Sequence, residues 1–121
     1  MSTAELVTRD PQLLKGVLPL LVLTLLAEEE SYGYELVGRL QAGGLAGIAT
    51  GTVYPVLSRL EREGWLGSRL VASDAGPARK YYRPTPAGLR HRDASQAAWE
   101  SLAEVVSRAL PRSIPRTKEI S

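Results

Sequence analysis

The chain has 121 residues, 44% of them hydrophobic, and a formal net charge of +2. That length and apolar content suit one folded domain with a single core. The absence of cysteine rules out disulfides and thiolate catalysis, and a single histidine, His91, argues against a zinc site.

Asp10-Pro11 reads as a helix opening, an N-cap aspartate followed by proline at the first helical position. The helix runs to about Ala27, and its Leu and Val residues lie all round it, so burial on most sides is expected. Pro19 implies a kink, or a true start nearer Gly16. The apolar run Val17 to Ala27 falls short of the roughly 20 residues a membrane span needs. The N-terminus also lacks the basic-then-apolar order of a signal peptide. A soluble cytoplasmic protein without a membrane partner is expected.

Ser31 can cap a second helix, with Leu36, Val37 and Leu40 on one face and Gly43-Gly44 as its stop. A third helix follows from Thr50 to Glu63, closed by Gly64. The period then changes. "WLGSRLVA" and "RKYYRP" read as two strands joined by "SDAGPA". Thr85-Pro86 opens a last helix reaching Leu110, and the proline-bearing tail 111–121 is expected to be disordered.

Three helices followed by a two-stranded hairpin define a mainly α fold, a winged helix-turn-helix over residues 10–84, with a long C-terminal helix over 85–110. The charge distribution agrees with a nucleic-acid partner. Residues 50–92 carry eight Lys or Arg against three Asp or Glu, whereas residues 1–49 carry three against six. A basic middle third in a nearly neutral chain is the footprint of a phosphate-binding surface.

Pro55 is the odd residue of the third helix. On a helical wheel Val53, Val56, Leu57 and Leu60 form one apolar stripe, while Gly51, Pro55, Ser58 and Arg62 point the opposite way. Pro55 therefore faces away from the core within about a turn of the helix start, where backbone N–H groups lack internal partners anyway. It frees the Gly51 carbonyl and stiffens the first turn. Thr50, Gly51, Thr52, Tyr54, Pro55, Ser58 and Arg59 then form an approachable helix N-terminus with hydroxyls and charge, suited to base edges and phosphates. Arg79 and Lys80 lie near the tip of the hairpin. Alternation puts Arg79, Tyr81 and Arg83 on one face of their strand and Lys80 and Tyr82 on the other. His91 stands among charges and is expected to be exposed. No nucleophile–base pair or phosphate loop is visible, so no catalytic residue, cofactor or enzyme activity is expected.

The segments "YGYEL", "GTVYPVLSRLEREG" and "RKYYRPTPAG" in combination resemble the PadR-like transcriptional regulators over residues 13–90. The resemblance implies a homodimeric winged-helix repressor of the short-tailed branch, binding a palindromic double-stranded DNA operator. It implies a small aromatic effector as well. It places Tyr34 near the DNA-facing side of the second helix, and Thr52, Tyr54 and Pro55 at the opening of the recognition helix. Arg79 and Lys80 fall on the basic edge of the wing. Trp99 lies in the dimerisation helix on a stripe that continues through Leu102, Val106 and Leu110. Ala49-Thr50 stands where a Ser-Pro pair is usual, which shifts the helix cap to Thr50. A winged helix serving only as a protein-interaction module is the alternative reading.

Overall fold

In the computed structural model, which describes residues 10–111, the first helix, α1, spans Pro11–Glu28. The Asp10 side chain accepts the Leu13 N–H at 3.3 Å, so the helix begins at the Asp-Pro pair and not near Gly16. It continues through Pro19 without ending. The expectation of burial on most sides is corrected at the first turn. Leu14, Leu18, Val22, Leu23 and Leu26 are buried and Val17, Leu20, Leu21 and Leu25 half-buried, but Leu13, in the first turn, is 69% exposed. The helix is long and apolar enough to cross a membrane by length and composition, yet this buried set makes it the central helix of the core.

Ser31 does not cap the second helix. Ser31–Tyr32 form a two-residue strand, β1, and α2 (Gly33–Ala42) starts after it without a side-chain cap. The serine is instead fully buried and accepts a hydrogen bond from Arg39 Nη1 at 2.8 Å. Arg39 also donates to the carbonyls of Leu25 (2.7 Å) and Glu29 (2.8 Å). A cation of α2 thus meets carbonyls at the C-terminus of α1, where the helix dipole favours positive charge.

The third helix, α3, spans Thr50–Arg62. Its N-cap is Ala49 and no side chain caps it, so the cap does not shift to Thr50. Both α2 and α3 end in the same way. Leu45 N–H bonds back to Leu40 O and Trp65 N–H to Leu60 O, with Gly44 and Gly64 at φ +128° and +82°. That backbone reversal needs a left-handed residue, which glycine adopts without a Cβ penalty. Val53, Leu57 and Leu60 of α3 meet Leu36, Val37 and Leu40 of α2 and the buried side of α1. Each such burial contributes about 1.5–3 kcal/mol.

Strands β2 (Leu66–Ser73) and β3 (Gly76–Pro84) form the hairpin, longer than the sequence reading and joined by a turn at Asp74-Ala75. β1 pairs antiparallel with β3 through Ser31–Tyr82 and Tyr32–Tyr81, giving a three-stranded sheet in the order β1-β3-β2. Leu66 and Tyr82 turn inward and close the core. Pro77 lies where β3 has no partner on its β1 side, so its missing N–H costs the sheet little.

The last helix, α4, spans Pro86–Ala109 and is anchored at its first turn. Thr85 N–H bonds to Trp65 O at 3.1 Å, and Thr85 Oγ1 donates to Gly64 O at 2.7 Å. The same hydroxyl accepts the Gly88 N–H at 3.0 Å as the N-cap of α4. His91 is not simply exposed. It stacks on Trp65 at 3.5 Å between ring centroids, with planes 11° apart. Gly88 is buried, and a Cβ there would lie 1.9 Å from Trp65 O. Gly88→Ala therefore forces the backbones of α4 and Trp65 apart. Thermal or denaturant unfolding should show a loss of at least about 2 kcal/mol, or no folded protein.

Candidate nucleic-acid interface

The three buried residues of α3 recur every three or four positions, so the positions between them, apart from the half-buried Val56, turn outward. Gly51, Thr52, Tyr54, Pro55, Ser58, Arg59 and Arg62 are exposed, as is Thr50. The exposed arc is bounded on both sides. Tyr54 lies against α2, where Gly33 leaves room for its ring: a Cβ on Gly33 would sit 2.5 Å from the Tyr54 ring. On the other side Thr52, Pro55 and Arg59 border the N-terminal half of α1. The glycine of "YGYEL" thus has a structural use that periodicity alone did not show, as the seat of the Tyr54 ring of α3. Tyr34, one residue further, is 69% exposed on α2.

The hairpin alternates as its sequence requires. On the face turned toward α3, Tyr82 is buried and Lys80 reaches Glu61 of α3, Nζ to Oε1 2.8 Å. Ser68 donates a hydrogen bond to the other oxygen of the same carboxylate. On the opposite face the Arg79 guanidinium lies 4.6 Å from the Tyr32 ring centroid, Tyr32 meets Tyr81 edge to face at 5.4 Å, and Arg69 pairs with Glu30. The two basic residues expected at the wing therefore have different local partners. Both are exposed, but Arg79 lies over an aromatic ring whereas Lys80 is tied to Glu61 of α3.

Hydrogen bonds from Lys80 and then Ser68 hold the Glu61 carboxyl below its ordinary value of 4.5, and the same contact raises Lys80. Burial pushes the Tyr82 phenol up. Glu61 was not singled out from the sequence, where it read as one acidic residue among the arginines of α3. Its role as a strut between helix and wing depends on a contact across 19 residues.

Along α4 the side chains of Trp99 (51% exposed), Leu102, Val105, Val106 and Leu110 form an open apolar stripe. Trp99 and Leu102 also line, with Trp65, His91 and the N-terminal half of α1, a cavity of about 530 Å³.

A helical trio with an exposed third-helix face, a basic wing beside it and a long helix beyond is the build of a winged-helix DNA-binding regulator. Residues 22–94 match the sequence pattern of the Transcriptional regulator PadR-like family. Transcriptional regulator Rv3488 of Mycobacterium tuberculosis is 40% identical over 80 residues, which cover 66% of this chain and 73% of that protein. The fold superposes on a PadR-like transcriptional regulator from Bacillus cereus with a TM-score of 0.74, at 36% identity over 84% of this chain and 99% of the other. A PadR family transcriptional regulator from Eggerthella lenta gives a TM-score of 0.76 at 38% identity, over 84% and 88% of the two chains. The chain belongs to the PadR-like family of transcriptional regulators, and it is a DNA-binding regulator, not an enzyme.

The Glu61 strut gives the stability a defined pH dependence. Its folded-state pKa is depressed, so its contribution is complete above the unfolded value of 4.5 and is lost as pH falls through the lower folded value. Denaturant titrations of wild type and Glu61→Gln across that window should converge as pH falls, with the wild type losing stability more steeply.

Proposed function

We propose that the protein is a homodimeric repressor that places two copies of α3 in successive major grooves of a palindromic operator. Thr50, Gly51, Thr52, Tyr54, Pro55, Ser58 and Arg59 are the contacts at base edges and nearby phosphates, with Tyr34 beside them. Arg79 and Lys80 serve the backbone under the wing. The observation that carries this reading is the exposed arc of α3, whose opposite side is sealed at Val53, Leu57 and Leu60. A helix so anchored holds its outer side chains in fixed register, which base-edge recognition requires.

The open stripe of α4 supports the dimer. An unpartnered row of large apolar side chains at spacings of three and four suits a second copy related by a two-fold axis. Trp99 at the edge of the cavity it shares with Trp65 and Leu102 supports a planar aromatic effector there, stacking on the indole. Such a ligand acts only by favouring one spacing of the two recognition helices over another.

Selection of bound sequences from a random duplex pool tests the whole reading, with recovery of a palindrome as the expected result. Enrichment of no sequence would favour a protein-interaction module. Arg59→Ala should weaken binding to the selected duplex by about tenfold, the 1–2 kcal/mol of one charged contact. It should also reduce the slope of log affinity against log salt by about one. Leu102→Glu with Val106→Glu should sediment as a monomer and bind DNA at least about a hundredfold more weakly, since linked half-sites are lost.

A further inference from the structure

The outer flank of α3 does not end in open solvent. Between α3 and the first half of α1 lies a groove of about 540 Å³, within the size range of small-molecule sites. Its floor is apolar: Leu14, Leu18 and Pro19 from α1 meet Pro55 and Val56 from α3. Its rim carries Lys15, Arg59 and Arg62, and no carboxylate among the described residues lines it. Arg59 lies 3.8 Å from Glu63, a long and exposed pairing. Lys15 and Arg62 have no acidic partner within 4.0 Å among the described residues.

We infer that this groove is a binding site for an amphipathic organic anion, an aryl or alkyl chain bearing a carboxylate or sulfonate. The chemistry follows from the lining. An apolar body loses its water against the leucine, valine and proline floor. The anionic head finds the cations of the rim, and charge-assisted hydrogen bonds to arginine are the strong ones. A neutral ligand would leave those cations unused, and a cation would be repelled by them. The groove shares Thr52, Pro55 and Arg59 with the DNA-reading surface, so its occupant and DNA compete for the same residues. This last step rests on the reading of α3 as the DNA-contacting helix; the binding step does not. The site differs from the Trp99 cavity, which lies on the α4 side of α1 and α3 although both are bordered by Lys15, Pro19 and Arg59.

Anilinonaphthalene sulfonate, an aryl sulfonate whose fluorescence rises in apolar surroundings, is a suitable probe, with neutral N-phenylnaphthylamine as its uncharged counterpart. The full chain without DNA should bind the sulfonate saturably. Lys15→Ala with Arg62→Ala, both exposed positions, should weaken the sulfonate by about tenfold and the neutral dye far less. Val56→Trp should fill the groove and abolish binding of the sulfonate there, all titrations being made in a Trp99→Ala background that removes the aromatic cavity on the α4 side as a second site for the dye. Circular dichroism of each variant confirms that it is folded; the double alanine variant decides the matter if Val56→Trp is not. The inference is overturned if no saturable binding occurs. It is equally overturned if the groove variants retain the signal in that background. Duplex DNA should displace the sulfonate. If the sulfonate binds as expected but DNA does not displace it, the groove is a ligand site and the assignment of α3 to DNA is what fails.

Discussion

The backbone contact between Trp65 and the start of α4 is the constraint on which the rest of the structure depends. Gly64 turns the chain out of α3, Trp65 lends its carbonyl to Thr85, and Gly88 brings α4 against that carbonyl with no side chain between. The end of α3, the base of the hairpin and the first turn of α4 thereby become one rigid junction. Thr85 serves it twice, accepting from Gly88 and donating to Gly64. The stacked rings of Trp65 and His91 extend the contact a turn further along α4. The start of α4 and the C-terminal end of α3 are thus joined through hydrogen bonds to the Gly64 and Trp65 carbonyls.

Polar contacts on the periphery set the wing against that rigid centre. Glu61 takes Lys80 and Ser68 with its two oxygens, one from each strand of the hairpin. Glu30 takes Arg69 on the other side of the sheet. Both ion pairs are exposed, so each adds little to global stability. Their effect is on geometry: they hold the hairpin at one angle to α3. Lys80 is thus engaged with a carboxylate, whereas the Arg79 guanidinium is seated on Tyr32 and forms no ion pair among the described residues.

The apolar surface is unevenly distributed. Nearly all of the core comes from α1, α2 and α3, while α4 buries only Gly88 and exposes its Trp, Leu and Val stripe. Leu13 of α1 is open as well. The large apolar side chains left uncovered therefore lie mainly on α4, outside the core that fixes α3.

Much of this was legible in the amino-acid order because it rests on local chemistry. The Asp10-Pro11 and Thr85-Pro86 openings, the glycine stops and the buried stripe of α3 each depend on neighbours within about a turn, and all stand in the structure. The tail at residues 112–121 lies outside the described residues. What the order of residues could not show are relations between distant segments. Ser31 could as well cap a helix as pair with a strand, and only Tyr82, 51 positions away in β3, decided for the strand. Glu61 and Arg39 read as surface charges until Lys80 and the C-terminus of α1 were brought beside them. His91 became a stacking partner only because Gly88 lets α4 lie against Trp65. Local propensity, capping and periodicity act over a few residues and so are written in the chain itself; the pairing of charges, rings and strand edges is settled by which surfaces the packed core forces together.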